Sequence, residues 1–421
     1  MFKTTHIKPI GRLTQLLIVG VLVCFGFNLK AQSLEELKTI SAENNLELKA
    51  QFKAFEAQLE GVTQAKSWQD PNLSFGYFIS PIETRVGPQI ARFSLTQMLP
   101  WFGTYKAKGD IAAFRAEAEY ETFQDQKLKL FLEVAKIYYD LAAIRRIAEL
   151  ETEQLEILKD LKSITESNYE NNKVNLVDVL RVELQIEEQL SVIETLKDQD
   201  KVLLTQLNQM MNRPLETEVI ISDPKQVLEV SSLSTPESKL KSHPRLEAIR
   251  NLQESNKAER LLAKKQSLPQ FGIGLDYAII RDRNVMNTDA GQDAFMPMLS
   301  LSLPIFGKKN TSRKKATLLH GESLQFQLEH ERSKLQSEIQ VAVYRYREQS
   351  KLVKLHDQQM QKLDDILDLS LVAFANAEMQ IEEVLRLQEE HLMHHKMKIR
   401  TLVDLQKINE TLSYLTINSD L

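Results

Sequence analysis

Cysteine is almost missing from this 421-residue chain: the one copy, Cys24, lies in an N-terminal apolar stretch. That excludes a disulfide framework and suits an oxidising compartment. Proline is absent between Pro100 and Pro214, and glycine between Gly109 and Gly272. Uninterrupted helix formers over such lengths make very long helices. No apolar run reaches the roughly 20 residues a spanning helix requires. The stretch from Leu13 to Phe27 is 15 residues long, follows Lys3, Lys8 and Arg12, and leads to a cleavage point after Ala31. This is the layout of a secretory signal peptide. An acylated Cys24 is the alternative, although Val23 ahead of it is bulkier than such processing favours. Losing residues 1–31 removes Lys3, Lys8, Arg12 and Lys30 and no acid, so the formal charge moves from -5 to -9. An acidic chain argues against a nucleic-acid partner, whose phosphates demand a basic footprint. Phosphate loops, nucleophile elbows and zinc signatures are also missing, which argues against an enzyme and leaves no cofactor to propose.

What the chain does contain, it contains twice. Leu99-Pro100-Trp101-Phe102-Gly103 returns as Leu303-Pro304-Ile305-Phe306-Gly307, each closing a pair of strands and opening a long helix. Leu48 and Leu246, like Pro71 and Pro269, are 198 residues apart, and the two Leu-Pro turns 204 apart. Further on the offset is 205, pairing Glu133 with Glu338, Tyr139 with Tyr344 and Val179-Leu180-Arg181 with Val384-Leu385-Arg386. A steady offset with two small insertions is a tandem duplication. It divides the chain into a signal peptide (1–31), a first repeat (32–212), a connector (213–242) carrying Pro214, Pro224 and Pro236, and a second repeat (243–421).

Within the first repeat a helix is predicted from about Thr104 to Asn168 and a return helix from Leu176 to Met211; the second repeat turns near Asn376 and returns to about Leu415. Asparagine suits such turns because it tolerates left-handed geometry. The first rod carries one apolar seam through Val134, Ile137, Leu141, Ile144, Ala148, Leu155 and Leu158, and another through Leu128, Phe131, Ala135, Tyr138 and Ala142. A two-stranded coiled coil needs one seam, whereas two adjacent seams suit a stave with neighbours on both sides. A broad face in an ordinary bundle is the competing reading.

The strands alternate. Leu73, Phe75, Tyr77 and Ile79 oppose Ser74 and Gly76, while Ala91, Phe93 and Leu95 oppose Arg92, Ser94 and Thr96. In the second repeat Phe271, Ile273, Leu275, Tyr277 and Ile279 oppose Gly272, Gly274 and Asp276. Leu299, Leu301 and Leu303 oppose Ser300 and Ser302, whose face Met296 and Met298 share. Such runs are long enough to span a bilayer when tilted, and polar loops (80–88 and 281–293) and the aromatics Trp101, Phe102 and Phe306 bound them. A half-buried soluble sheet would alternate likewise. If the strands do lie in lipid, four cannot close a barrel, and an open edge is not tolerated there, so several copies must share one.

With signal peptide, repeat, paired strands, Leu-Pro-x-Phe-Gly turns and helical hairpins, the chain resembles the TolC-type outer membrane efflux proteins over nearly all of its mature length. The most specific match is the tip segment Val174-Asn175-Leu176-Val177-Asp178-Val179-Leu180-Arg181; its counterpart Met379-Gln380-Ile381-Glu382-Glu383-Val384-Leu385-Arg386 matches more loosely. The resemblance implies a mainly α fold with a β-barrel part: a homotrimer in which four strands per chain complete a twelve-stranded barrel in outer membrane lipid, above a twelve-helix tube in the periplasm. It implies a passive exit duct, working with a periplasmic adaptor (membrane fusion) protein and an inner membrane pump such as an RND or ABC transporter. By the same resemblance Val174, Asn175, Leu176, Met379, Gln380 and Ile381 dock the adaptor, and Asp178, Arg181, Glu382, Glu383 and Arg386 form the gate. Asn175 stands where the family often has glycine.

Two alternatives remain at this stage. A periplasmic coiled-coil scaffold or adaptor would also carry long hairpins. His391 and His395, one helical turn apart, have a metal-compatible spacing, but Lys396, Lys398 and Arg400 oppose a cation there, and a helix face with incidental histidines is the preferred reading.

Overall fold

The computed structural model describes residues 32–221, 242–282, 291–376 and 378–416. The signal peptide, Cys24, most of the connector and part of the second polar loop lie outside them.

Two short helices lead in, α1 (Leu34–Asn44) and α2 (Leu46–Lys66). The Ser33 hydroxyl accepts from the Glu36 N–H at 3.2 Å while Glu36 Oε2 accepts from the Ser33 N–H at 3.1 Å, a reciprocal cap that starts α1. Strands β1 (Asn72–Thr84) and β2 (Gly87–Leu99) follow. The rod α3 (Thr104–Glu170) runs 67 residues, about 100 Å at the helical rise, before α4 (Leu176–Met210) returns. The second repeat repeats the order: α5 (Pro244–Lys265), β3 (Gln270–Ile280), β4 (Ala294–Ser302), the 69-residue α6 (Gly307–Ala375) and α7 (Ile381–Thr416).

The strands form one antiparallel sheet in the order β1-β2-β3-β4, leaving β1 and β4 as its two edges. Register settles the faces. Ser74 pairs with Ser94, Ser94 with Asp276 and Asp276 with Met296, so these side chains share one side. Phe75 pairs with Phe93, Phe93 with Tyr277 and Tyr277 with Phe295 on the other. One correction concerns the first polar loop. Residues 80–84 continue β1 past a register shift between Tyr77 and Ile82, and a two-residue turn at Arg85 and Val86 replaces the expected nine-residue loop. Gly87, at φ 136, permits that turn, where a side chain would be strained.

Both seams of α3 are used. Val134, Leu141, Ala135 and Tyr138 are all buried in a core that also takes Leu37 of α1, Leu207 of α4 and Val403 of α7, and Ala142 is fully buried too. The stretch after α4 does not run free of the rods: Val219 enters the same core, and its carbonyl accepts from Arg145 Nη1 at 2.7 Å. The outer rod α6 buries far less of itself, leaving Phe326, Tyr344, Leu369 and Val372 exposed.

The two Leu-Pro turns differ. Gly103 is left-handed (φ 77) and sits against Lys265, whose Nζ donates to the Phe102 carbonyl at 2.8 Å. Gly307 is simply the first residue of α6, with open space where a Cβ would go.

Candidate functional site: the helical tips and the polar face of the sheet

The far ends of the rods are built by turn chemistry. Asn172 is left-handed at φ 57, and the Lys173 N–H donates to the Asn168 carbonyl at 2.8 Å, which closes α3. Asn376 ends α6 without left-handed geometry (φ -83), so the asparagine argument holds for the first tip only. At the start of α4 the Asn175 N–H donates to Asp178 Oδ2 at 2.9 Å. Asp178 is thus engaged as a helix-start acceptor, which a gate residue facing an axis need not be.

The tips of the two hairpins pack as one end. Leu158 and Leu161 of α3, Val182 of α4, Phe374 of α6 and Ile381, Val384 and Leu385 of α7 make one buried cluster, with Met379 against it. Ile381 is only 2 % exposed, so it supports the tip from inside; the expectation that it lies on a docking surface is corrected by that burial. Val174, Asn175, Leu176 and Gln380 lie at least partly in solvent. Beside them, Val177, Leu180 and Leu184 are exposed, so Leu176, Leu180 and Leu184 form an apolar stripe at spacing four. In the sequence the only mark of this stripe is the spacing of Leu176, Leu180 and Leu184.

Arg181 of α4 ion-pairs with Glu382 of α7, and four residues on Gln185 Nε2 donates to Glu389 Oε1 at 2.8 Å. Two consecutive turns of α4 are therefore stapled to the other hairpin. Glu383 pairs instead along its own helix with Arg386, 2.5 Å away, and the guanidinium's hydrogen bonds hold that carboxyl below the usual range. Of the five expected gate residues, the fold brings Arg181 and Glu382 together between hairpins and Glu383 and Arg386 together within one.

Nearer mid-rod, Glu151 of α3 is 1 % exposed, and Lys396 Nζ of α7 lies 2.8 Å from it while Gln189 Nε2 of α4 donates at 2.6 Å. The histidines lie beside this knot. His391 Nε2 is 2.7 Å from Asp364 Oδ1 on α6, the carboxylate partner that sequence reading did not find, and His394 and His356 face each other with Nδ1 atoms 3.4 Å apart. Burial, with the nearby His391, pushes the His395 imidazole down to about 4. Among the described residues no three or more histidine, cysteine or acidic groups gather as a metal site.

The polar face of the sheet carries Arg92, Ser94, Thr96, Met98, Asp276, Met296, Met298 and Ser300. Asp276 is 3 % exposed and ion-paired to Arg92. Gly272 and Gly274 lack side chains because Ser300 and Met98 fill the space beside the first, and Met298 and Thr96 the space beside the second. The opposite face exposes Leu73, Phe75, Leu95, Ile273, Leu299 and Leu301.

Residues 39–213, which span most of the first repeat, match the family model described as outer membrane efflux protein. No curated protein matches. Among solved structures, the CusC channel shares 14 % identity with a TM-score of 0.75, the superposition covering 91 % of each chain. VceC of Vibrio cholerae shares 14 % (TM-score 0.73; 91 % of this chain and 95 % of that one), and MtrE of Neisseria gonorrhoeae, seen in an open state, 13 % (TM-score 0.71; 91 % and 88 %). At such identities the likeness is one of fold, and it extends over both repeats.

Proposed function

We propose that this chain, an outer membrane efflux protein by its family match and of the TolC type by its fold, is the passive exit duct of a tripartite export system. It is a channel and not an enzyme, and it lies in the outer membrane with its helical part in the periplasm. The observation that carries the finer reading is the sheet. It has four strands, one apolar face, one polar face and two unpaired edges, β1 and β4. Unpaired backbone groups are too costly to leave in hydrocarbon. A ring of three copies, β4 of one beside β1 of the next, pairs every edge and makes a twelve-stranded barrel, with the Arg92 and Asp276 face lining its lumen.

The helical part supports the same ring, since the exposed apolar residues of α6 in one copy need a neighbouring stave. At the tip, Arg181 and Glu382 hold the two hairpins together in the closed state, with Glu383 and Arg386 beside them, and Val174, Asn175 and the stripe from Leu176 to Leu184 meet the adaptor. The inner membrane pump supplies the energy. An adaptor reading fits less well, because both hairpins here continue into strands of one sheet.

Extraction from outer membranes in detergent, followed by mass measurement and planar-bilayer recording, tests the proposal. A trimer with steady conductance is expected; a monomer with no conductance overturns it.

A further inference from the structure

The chain is acidic overall, yet its charge is inverted where the rods meet the sheet. From Ala294 to Gly321 there is no acidic residue, while Lys308, Lys309, Arg313, Lys314 and Lys315 fall within the first turns of α6. All but the half-buried Arg313 are exposed. Neighbouring helix ends add Lys66, Lys106 and Lys264, also exposed, against Asp70 and Asp110.

This placement runs against local physics. A helix N-terminus carries a partial positive charge and favours acidic side chains, and α6 has none in its first turn. Five cations in eight residues also repel one another, and among the described residues none of the five makes an ion pair. An arrangement that costs the isolated chain stability at several levels points to an anion outside it.

Position names the anion. Immediately before α6, Ile305 and Phe306 are 75 % and 80 % exposed, at the end of a strand whose apolar face lies in lipid on the functional reading above, on which this inference rests. Exposed aromatics at a strand end mark the interface between hydrocarbon and headgroups. The cations therefore sit within about two and a half helical turns of the headgroup level of the leaflet facing the rods, within reach of its phosphates for long, flexible lysines.

We propose that the start of α6, with Lys66, Lys106 and Lys264 around it, is a basic collar that binds anionic phospholipid headgroups of the periplasmic leaflet and fixes the depth of the barrel. Cations near a charged bilayer surface attract its anionic headgroups, an attraction that falls off within a Debye length. Repeated in three copies, the collar surrounds the barrel.

The test uses the whole trimer reconstituted in nanodiscs of phosphatidylcholine with a minority of phosphatidylglycerol. Native mass spectrometry should find phosphatidylglycerol enriched around the protein by at least about fivefold, the equivalent of a single ~1 kcal/mol contact. Added salt should reduce the enrichment. Changing Lys308, Lys309, Arg313, Lys314 and Lys315 together to glutamine should abolish it, and changing only the four lysines to arginine should preserve it. A conducting trimer with equal lipid composition for all three proteins overturns the collar while leaving the channel standing. So does a glutamine variant that retains phosphatidylglycerol but alters ion selectivity, since its cations would then line the lumen. Loss of trimer and conductance in the unmodified protein would instead remove the channel reading itself. If the glutamine variant fails to assemble, the comparison of the unmodified protein in phosphatidylglycerol and in phosphatidylcholine alone decides: no difference in thermal midpoint between them overturns the collar.

Discussion

Arg181 and Glu382 are both about half exposed, so each pair is weak alone, within the 0–1 kcal/mol of surface pairs. In the proposed trimer a closed tip would use three of them at once, together with Gln185 and Glu389. Arg181→Ala is therefore expected to raise resting conductance several-fold in single-channel recordings; no change would take Arg181 out of the gate. Asp178, in contrast, gives a carboxylate oxygen to the Asn175 N–H, so its removal acts on the start of α4 and on stability. Its acidity was legible in the sequence, but its occupation was not, because a capping hydrogen bond and a gate charge call for the same residue type. Inside the sheet, Asp276→Asn leaves Arg92 without its counter-charge. If this face lines the lumen, as proposed, reversal potentials in a salt gradient should shift towards anion selectivity, since a lumenal charge acts directly on passing ions.

Between elements, buried polar knots decide which helices belong together. Glu151 lies in the contact of α3, α4 and α7, held by Gln189 and Lys396. Lys396→Met strands that carboxylate and is expected to cost on the order of 3 kcal/mol, read as a lower denaturant midpoint with an unchanged slope. The histidines add a pH dependence with a definite sign. An unfolded imidazole takes a proton near 6.5, whereas folded His395, desolvated by burial and crowded by His391, Lys398 and Arg146 with only Asp364 opposing them, does not until about 4. Between those values the unfolded chain binds more protons, so stability falls as pH falls from about 6.5 towards 4 and levels off below. His356, depressed by burial and by His394, adds in the same direction. His395→Leu should flatten the decline measured by thermal unfolding across that window; an equally steep decline would show that other groups cause it. Helix lengths were readable from missing proline and glycine, and the seams of α3 from their spacing. The partners Asp364 and Gln189 were not, because they come from helices 27 and 38 residues away in sequence, and a helical period says nothing about which two faces meet.

For the whole molecule, the alternation of the strands and their number carried most of the architecture, since both follow from backbone geometry and from the cost of an open edge in lipid. The sequence shows the two tips to be unequal, the second matching more loosely, but not that the two rods are buried unequally. The same duplicated plan puts α3 deep in the core and leaves α6 on a flank, because only one of two equivalent rods can be central in a four-stave array.

The free edges β1 and β4 have a genetic consequence as well. A head-to-tail ring closes only if every junction holds, so one subunit with a blocked edge spoils the two normal ones beside it. Suppose a copy with Met298→Pro, which removes a backbone donor from edge strand β4, is produced alongside an equal amount of the normal chain and still mixes with it. Intact rings should then fall to about one in eight, the chance of drawing three normal subunits. Drug or dye efflux from cells carrying both copies would reveal it: a loss near one half would mean that subunits act singly, and a loss approaching seven eighths that the ring is made of three.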